Sequence, residues 1–298
     1  MSCSVYFLIG IPGSGKTEYA KLLHDTTGAR VFSLSETREL WNAKVGRGNY
    51  RPCDMVNDFY SQIQACLTNG DDCVVDATNL KGRNRKRFVY NILRGIECRK
   101  IACVVASPFL YCAEHCYYGI SVAREGYRSW QTPGIWEGWN EIWLYYKNPE
   151  WITLNGTISS FLKRFDGYDQ KNSHHGLTLG QHLRKTMEAV DLSKVKLWKT
   201  EMILDAALLH DCGKPLTRRI GKGGFATYHD HQNIGAYEAL FFDYQSNVDV
   251  SYISALICHH MDPISWNERT NISKYKCFYG EEFYNDMMLI HEADRTAR

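Results

Sequence analysis

The stretch Val5-Tyr6-Phe7-Leu8-Ile9-Gly10-Ile11-Pro12-Gly13-Ser14-Gly15-Lys16-Thr17 decides the fold of the first half of the chain. Five consecutive apolar residues read as a buried strand, and the next eight fit G-x-x-x-x-G-K-[ST], the pattern of a phosphate-binding loop. Glycines let the backbone curl around phosphate oxygens, so that amide N–H groups and the positive end of the following helix face the charge. Gly10, Gly13, Ser14, Gly15, Lys16 and Thr17 are therefore the expected nucleotide-binding positions. Lys16 would reach the β and γ phosphates and the Thr17 hydroxyl would ligate Mg²⁺.

Outward from the loop, residues 30–34 read as a second strand, 35–41 as the start of a helix and 54–67 as an amphipathic helix. Cys73-Val74-Val75-Asp76-Ala77-Thr78-Asn79-Leu80 is a buried strand ending in a carboxylate. Asp76 at a strand tip beside a phosphate loop can hold the water shell of Mg²⁺, or cap the helix that begins near Arg83. The cluster Arg83, Arg85, Lys86 and Arg87 reads as a solvated helix face, with phosphate contact as the alternative. A strand at 99–106 completes an alternation of strands and helices, which predicts a parallel α/β sheet with flanking helices. Within 115–128, Arg124 and Arg128 stand four apart, so both can point at one charged ligand and neutralise a transferring phosphoryl group. Residues 151–154 and 157–165 read as a last strand and helix. The polar, turn-forming stretch 166–173 marks the boundary, giving domains 1–165 and 166–298. Beyond it the chain becomes all-α, with helix periods at 178–190, 201–210, 233–242, 251–260 and 281–295, and there the histidines concentrate.

A length of 298 residues suits roughly two domains. The net charge of +2 excludes a protein that coats nucleic acid by bulk electrostatics, and fits an enzyme directed at a few phosphates on chain ends. Eleven cysteines lack any C-x-x-C pair and many lie in apolar runs, as buried reduced thiols do. Cys112, His115 and Cys116 share a helical face, read as packing in preference to zinc. With no signal sequence and no apolar run approaching ~18 residues, a soluble, cytoplasmic protein free of the membrane is expected.

Residues 1–165 resemble a phage-type polynucleotide 5′-kinase. The resemblance rests on the phosphate loop, on Ser35-Glu36-Thr37-Arg38 after the second strand, on Asp76-Ala77-Thr78-Asn79-Leu80 with its trailing arginines, and on Arg124 and Arg128 in a lid-like position. It implies ATP and Mg²⁺ as cofactors, a strand-end Asp three residues before an Arg as general base, and that Arg, here Arg38, on the acceptor phosphate. The chain departs from the pattern: Ser35 stands three before Arg38, and the carboxylate, Glu36, comes one later. A hydroxyl is not ionised near neutrality and cannot replace a carboxylate base. Either Glu36 reaches in, the acceptor site is built differently, or this half is a weak kinase.

Residues 166–298 resemble an HD-domain phosphohydrolase. His182, the doublet His210-Asp211 and Asp294 match that family's four metal ligands. Histidine and carboxylate suit one or two divalent ions such as Mn²⁺, Fe²⁺, Ni²⁺, Co²⁺ or Zn²⁺. His231, His259 and His260 supply the extra histidines of the two-metal branch. Adjacent residues point about 100° apart on a helix, so His260 is the expected ligand and His259 a second ligand or phosphate contact. Lys214 is a candidate phosphate clamp. Asp294 lies four residues before the last one, so the chain is expected either to end very shortly after its metal-bearing helix or to be part of something longer.

Together the two resemblances imply a bifunctional enzyme that heals nucleic-acid ends, RNA above all. One half phosphorylates 5′-hydroxyl ends and the other removes a 3′-phosphate or 2′,3′-cyclic phosphate, preparing RNA or DNA ends for a separate ligase. The alternatives are a nucleoside or nucleotide kinase fused to a nucleotidase, and an ATP-sensing module that regulates an HD phosphohydrolase.

Overall fold

Strands covered on both faces by helices read as near-continuous apolar runs, and in the first half residues 5–9, 73–75 and 101–106 are buried at every position. β1 (Ser4–Ile9), β2 (Arg30–Ser33), β3 (Cys73–Asp76), β4 (Arg99–Ala106) and β5 (Glu141–Tyr146) form one parallel sheet in the order β2-β3-β1-β4-β5. The computed structural model describes residues 3–171, 176–244, 248–266 and 272–297. Residues 172 and 173 of the expected boundary stretch, and Arg298, lie outside them.

Helices α1 (Lys16–Thr27), α2 (Leu34–Val45), α3 (Pro52–Thr68), α4 (Gly82–Arg87), α5 (Phe109–His115) and α6 (Ile120–Arg128) connect these strands. Central β1 pairs with β3 (Phe7 opposite Val75) and β4 (Phe7 opposite Ala102), so the chain leaves it at the point where strand order reverses. A crevice at that end of the sheet is where such folds take ligands. On one face, Leu8, Val74 and Ile101 pack with Leu23 and Ala20 of α1, and the Tyr19 ring stacks on Tyr145 at 3.9 Å.

The last strand is β5, not 151–154. Glu141-Ile142-Trp143-Leu144-Tyr145-Tyr146 pairs with β4, whereas Pro149–Thr153 forms a 3₁₀ turn. The Asn148 side chain accepts from Glu150 N at 3.0 Å and Pro149 presets the first φ, which together start a helical turn there.

The chain packs as two compact units: Met1–Gly126 with Glu137–Lys147, and Tyr127–Trp136 with Asn148–Arg298. The boundary expected after residue 165 therefore differs from the packing. Fully buried Trp130 meets Tyr237 edge-on at 4.9 Å, Thr132 Oγ1 lies 2.7 Å from Ser254 Oγ, and Phe161 meets Phe242 at 5.5 Å, all within the second unit. Apolar side chains in irregular segments go wherever a core accepts them.

The second unit is helical: α7 (Ile158–Arg164), α8 (Leu179–Glu188), α9 (Thr200–Leu209), α10 (Lys214–Thr217), α11 (His231–Glu238), α12 (Val250–His259), α13 (Ile272–Tyr279) and α14 (Glu281–Thr296). A short antiparallel hairpin, β6 (Arg219–Ile220) with β7 (Ala226–Thr227), interrupts them. A capping box starts α8, Thr178 Oγ1 accepting from Gln181 N while Gln181 Oε1 accepts from Thr178 N. Helix α9 packs on α8, α12 and α14, with Leu183, Ile203, Leu256 and Ile290 fully buried among them. The hairpin and α13 were not legible as elements. Among the described residues no helix is long and apolar enough to cross a membrane.

Candidate active sites

In the first unit the phosphate loop folds as a cradle. Gly13 has φ +87°, and a Cβ there would sit 2.1 Å from the Cys112 carbonyl oxygen, so only glycine fits. Lys16 is buried and donates to Ile11 O at 2.9 Å across the loop, which holds the ammonium over the cradle. Burial lowers its pKa to about 8, with Asp76 offsetting part of the shift. Ser14 Oγ is buried without a hydrogen-bond partner, and Thr17 Oγ1 donates to Asp76 Oδ2 at 2.9 Å. An orphaned hydroxyl in a glycine cradle, and a hydroxyl and carboxylate side by side, fit a nucleoside triphosphate and its Mg²⁺.

The Asp76–Leu80 stretch owes its shape to what lies beneath it. Asn79, at φ +50°, donates Nδ2 to Leu8 O at 2.8 Å, and Gly10 N donates to Thr78 O at 3.2 Å. Arg85 is fully buried: its fork meets both Glu137 oxygens at 2.7 Å, and Nη1 donates to Asn79 O (3.0 Å) and Leu80 O (2.7 Å). Arg85 is thus a structural ion rather than part of a solvated face or a phosphate contact. It fixes the backbone just past Asp76. Burial raises the Asp76 pKa, against the opposing pull of Thr17 and Lys16.

A cavity of about 620 Å³ opens over the loop, lined by Gly13, Lys16, Thr17, Glu18, Ser35, Arg38, Asp76 and Thr78, and on its outer side by Tyr111, His115, Tyr117 and Tyr118. The structure gathers Ser35, Arg38 and Asp76 with the loop and leaves out three expected residues. Glu36, on the first turn of α2, is exposed and absent from the lining, because the turn that brings in residues 34, 35 and 38 points the intervening side chain outward. Arg124 is exposed and also outside the lining. Arg128 packs in the second unit, where its carbonyl accepts from Asn233 Nδ2 at 2.8 Å. Their spacing put them on one helical face, but the cavity lies elsewhere. The aromatic residues of the lining were missed, although Tyr117-Tyr118-Gly119 between two helices is a sequence signal: Tyr117 is 94% exposed. Cys112 and Cys116 are buried, whereas His115 stacks on Tyr111 at 3.9 Å, outside every candidate metal group among the described residues. All eleven cysteines are free thiols.

In the second unit, α8, the end of α9, the start of α11, the end of α12 and the last turns of α14 aim side chains at one point. Asp211 is the hub. Its Oδ2 lies 3.3 Å from both His182 Nε2 and His210 Nε2, while its Oδ1 lies 3.1 Å from His231 Nε2 and 3.9 Å from His260 Nε2. Asp294 Oδ1 faces His182 Nε2 at 3.2 Å and His210 Nε2 at 3.7 Å. The other ring nitrogens face backbone carbonyls: His210 Nδ1 with Ala207 O (2.8 Å), His231 Nδ1 with Tyr228 O (2.7 Å), His260 Nδ1 with Ile257 O (2.7 Å) and His182 Nδ1 with Ala297 O (3.4 Å). Carbonyls accept only from N–H, so each of these Nδ1 atoms donates outward and each Nε2 faces the centre of the cluster, the orientation a metal ligand needs. His231 Nε2 and His260 Nε2 are buried with no hydrogen bond. The donor set fits one or two divalent cations: the ligand atoms of His182, His210 and Asp294 lie within 4.8 Å of one another, as do those of His210, Asp211 and His260, and His231 Nε2 faces Asp211 Oδ1.

Charge is traded within the cluster. Burial works against an ionised His210, yet Asp211 and Asp294 push its pKa up to about 10, while burial and the neighbouring His210 and His231 push His260 down to about 3. Burial alone would raise Asp211, but Lys214 and His210 hold it well below the usual carboxylate range. Buried carboxylates among imidazoles hold protons or a metal, and a cation bound there releases those protons. Lys214 Nζ sits 2.5 Å from Asp211 Oδ2 and donates to Gln170 Oε1 at 2.8 Å, so the candidate phosphate clamp lies at the cluster's edge. His259 does not join. It turns to Asp262 Oδ2 at 2.8 Å and Tyr279, because its neighbour His260 takes the inward side of the helix end.

Residues 179–298 match the family model of the HD domain, and residues 5–113 that of an AAA domain. The C-terminal half is an HD domain. The N-terminal half has the parallel-sheet P-loop kinase-like fold, so a kinase-like domain and an HD phosphohydrolase domain share one chain. Two solved structures are similar to part of it, each at 14% identity. One is a protein called a kinase from Chloroflexus aurantiacus (TM-score 0.40, covering 52% of this chain and 94% of that one). The other is a gluconokinase from Sinorhizobium meliloti (TM-score 0.35, covering 50% and 85%). No curated protein matches the sequence.

Proposed function

We propose that the protein heals broken nucleic-acid ends, RNA above all, by phosphorylating a 5′-hydroxyl with ATP in one half and removing a 3′-phosphate or 2′,3′-cyclic phosphate in the other. The observation that carries this reading is the pairing, in one chain, of the Lys16–Thr17–Asp76 cradle with the His210–Asp211 cluster. A strand broken to leave a 5′-hydroxyl and a 3′-phosphate needs both reactions before a ligase can join it.

In the kinase half, Lys16 neutralises the β and γ phosphates, the Thr17 hydroxyl would hold Mg²⁺, and Arg38 meets the acceptor's phosphate. The 5′-oxygen attacks the γ-phosphorus, its proton passes to Asp76, and the bond to the departing ADP breaks. Glu18, the other carboxylate of the lining, is paired with Lys147 at 2.5 Å, which leaves Asp76 for that task. The aromatic outer wall suits a base face. In the HD half, His182, His210, Asp211 and Asp294, with His231 and His260, would hold the metal, which supplies a Lewis acid and an activated water near neutral pH. Lys214 orients the phosphate.

Incubation with γ-labelled ATP and 5′-hydroxyl oligonucleotides tests the kinase half. Label transfer is expected to fall by about 10²–10³ in Lys16→Ala, and no transfer to RNA or DNA would sink the reading. One observation favours a second reading: with Ser35 in the lining and Glu36, Arg124 and Arg128 outside it, the half would sense ATP and regulate the HD domain without transferring phosphate. Tight ATP binding with no acceptor turnover would select that reading.

A further inference from the structure

Between Asp211 and Asp230 the sequence carries four cations, Lys214, Arg218, Arg219 and Lys222, and no carboxylate. The fold sets the first two beside Tyr228 and the last two, exposed, on the hairpin that follows. Lys214 Nζ touches Asp211 and lies 5.6 Å over the Tyr228 ring. Arg218 follows the single turn of α10 and lies 5.0 Å over the Tyr168 ring, with its Nε buried and without a hydrogen-bond partner. Its charge also bears on the Tyr228 hydroxyl, so a single aromatic residue separates the two cations. Arg219 then opens β6, and the tight turn closed by Gly221 N to Phe225 O at 2.9 Å presents Lys222 on an exposed tip, beside a Phe225 that is 59% exposed. Asp169, whose charge also bears on Tyr228, has its Oδ1 engaged by Lys171 N at 2.8 Å.

We propose that this path is a binding site for single-stranded nucleic acid: the terminal phosphate lies at the Asp211 cluster and the phosphates before it follow Arg218 and the hairpin. Successive cations leading away from a hydrolytic centre match a ligand whose negative charges repeat along a chain, which a mononucleotide lacks. A guanidinium positioned over an aromatic ring, with its Nε–H left without a partner, suits a phosphate oxygen. An exposed phenylalanine at the tip offers a stacking face that only an unpaired base can use. The site rests on the reading that the HD half acts on nucleic-acid phosphates, and it adds which part of the strand is held and by what.

The test uses the whole protein and a labelled single strand of about eight nucleotides, phosphorylated at both ends so that no acceptor hydroxyl engages the kinase half. Binding is followed by fluorescence anisotropy across a salt series for the wild type, Arg218→Ala, Arg218→Lys and Arg219→Ala/Lys222→Ala. Kd is expected to rise about fivefold to tenfold in Arg218→Ala and in the hairpin double variant, with partial recovery in Arg218→Lys. The salt slope should fall by about 0.7 for each phosphate that is no longer neutralised. The ratio of kcat/KM for the 3′-phosphorylated oligonucleotide over p-nitrophenyl phosphate should drop about tenfold, through KM. Because the hairpin tip is exposed, its double variant answers even if Arg218→Ala misfolds. An unchanged Kd and salt slope in the double variant would overturn the site, as would equal competition by an acidic peptide. Lost binding in a protein that releases no 3′-phosphate would leave the strand site standing and remove the end-healing reading. Release of 3′-phosphate with binding unaffected would do the reverse.

Discussion

The phosphate-loop cavity and the histidine–aspartate cluster are built in opposite ways. The cradle comes largely from eight consecutive residues, Gly10 through Thr17, and opens into a cavity of about 620 Å³ with tyrosines on its outer side. The cluster draws single side chains from five helical elements into a buried point where His182 and His210 are fully enclosed. A loop of backbone amides needs only the right φ angles, so a short contiguous motif suffices. Convergent imidazoles need their ring orientation set, and backbone carbonyls do that, three residues back for His210, His231 and His260 and 115 residues on for His182. The first design leaves an open cavity, whereas the second closes buried side chains around one point.

The sharpest way to break this comparison is at the hub of the second site. Asp211→Asn should lose metal, seen by elemental analysis of the purified protein, and lower phosphatase turnover by about 10³ or more, while label transfer in the kinase half persists. Equal loss of both activities would end the two-site account. His260→Ala should likewise reduce bound metal, whereas His259→Ala should retain it, since His259 turns to Asp262. If the two variants lose metal alike, the inward assignment of His260 is wrong.

The cradle has its own point of failure beneath it. Glu137→Gln leaves the buried Arg85 charge without its carboxylate, and about 3–5 kcal/mol of stability should be lost in denaturant unfolding of the first unit. Transfer activity should fall in the surviving folded protein, because Arg85 holds the Asn79 and Leu80 carbonyls next to Asp76. Undiminished activity would show that the Asp76 strand end needs no such support.

The smallest effect expected is at Asp205 of α9, whose pKa burial and then Glu201 raise to about 6. A raised carboxyl favours the folded state while protonated, so this contribution is present below pH ~4 and is lost as pH rises through about 6. Asp205→Asn should therefore stabilise the second unit at pH 7 by on the order of 1 kcal/mol, with no gain at pH 4. A gain independent of pH would rule this cause out.

Much of the cradle was legible because its chemistry is local. The G-x-x-x-x-G-K-[ST] spacing named Lys16 and Thr17, and the apolar run ending at Asp76 placed a carboxylate at a strand tip. The rest of that cavity was not, because helix periodicity reports which residues share a face and not which way the face turns. Arg124 and Arg128 are four apart yet belong to different compact units, while Tyr117 and Tyr118 reach the cavity from an irregular turn. Burial of Arg85 was equally hidden, since its partner Glu137 lies 52 residues away.

By itself the sequence determined the two fold types and named candidate residues for phosphate and metal, since spacing and residue chemistry act over a few positions. Tertiary structure decided which of them meet. It put His260 inside and His259 outside, faced His182 Nδ1 to the carbonyl of Ala297, 115 residues on, and withdrew Glu36 from the cavity that Ser35 and Arg38 line. Those outcomes depend on distances of a few ångströms between segments far apart in the chain, where hydrogen-bond geometry and burial select among chemically equivalent side chains.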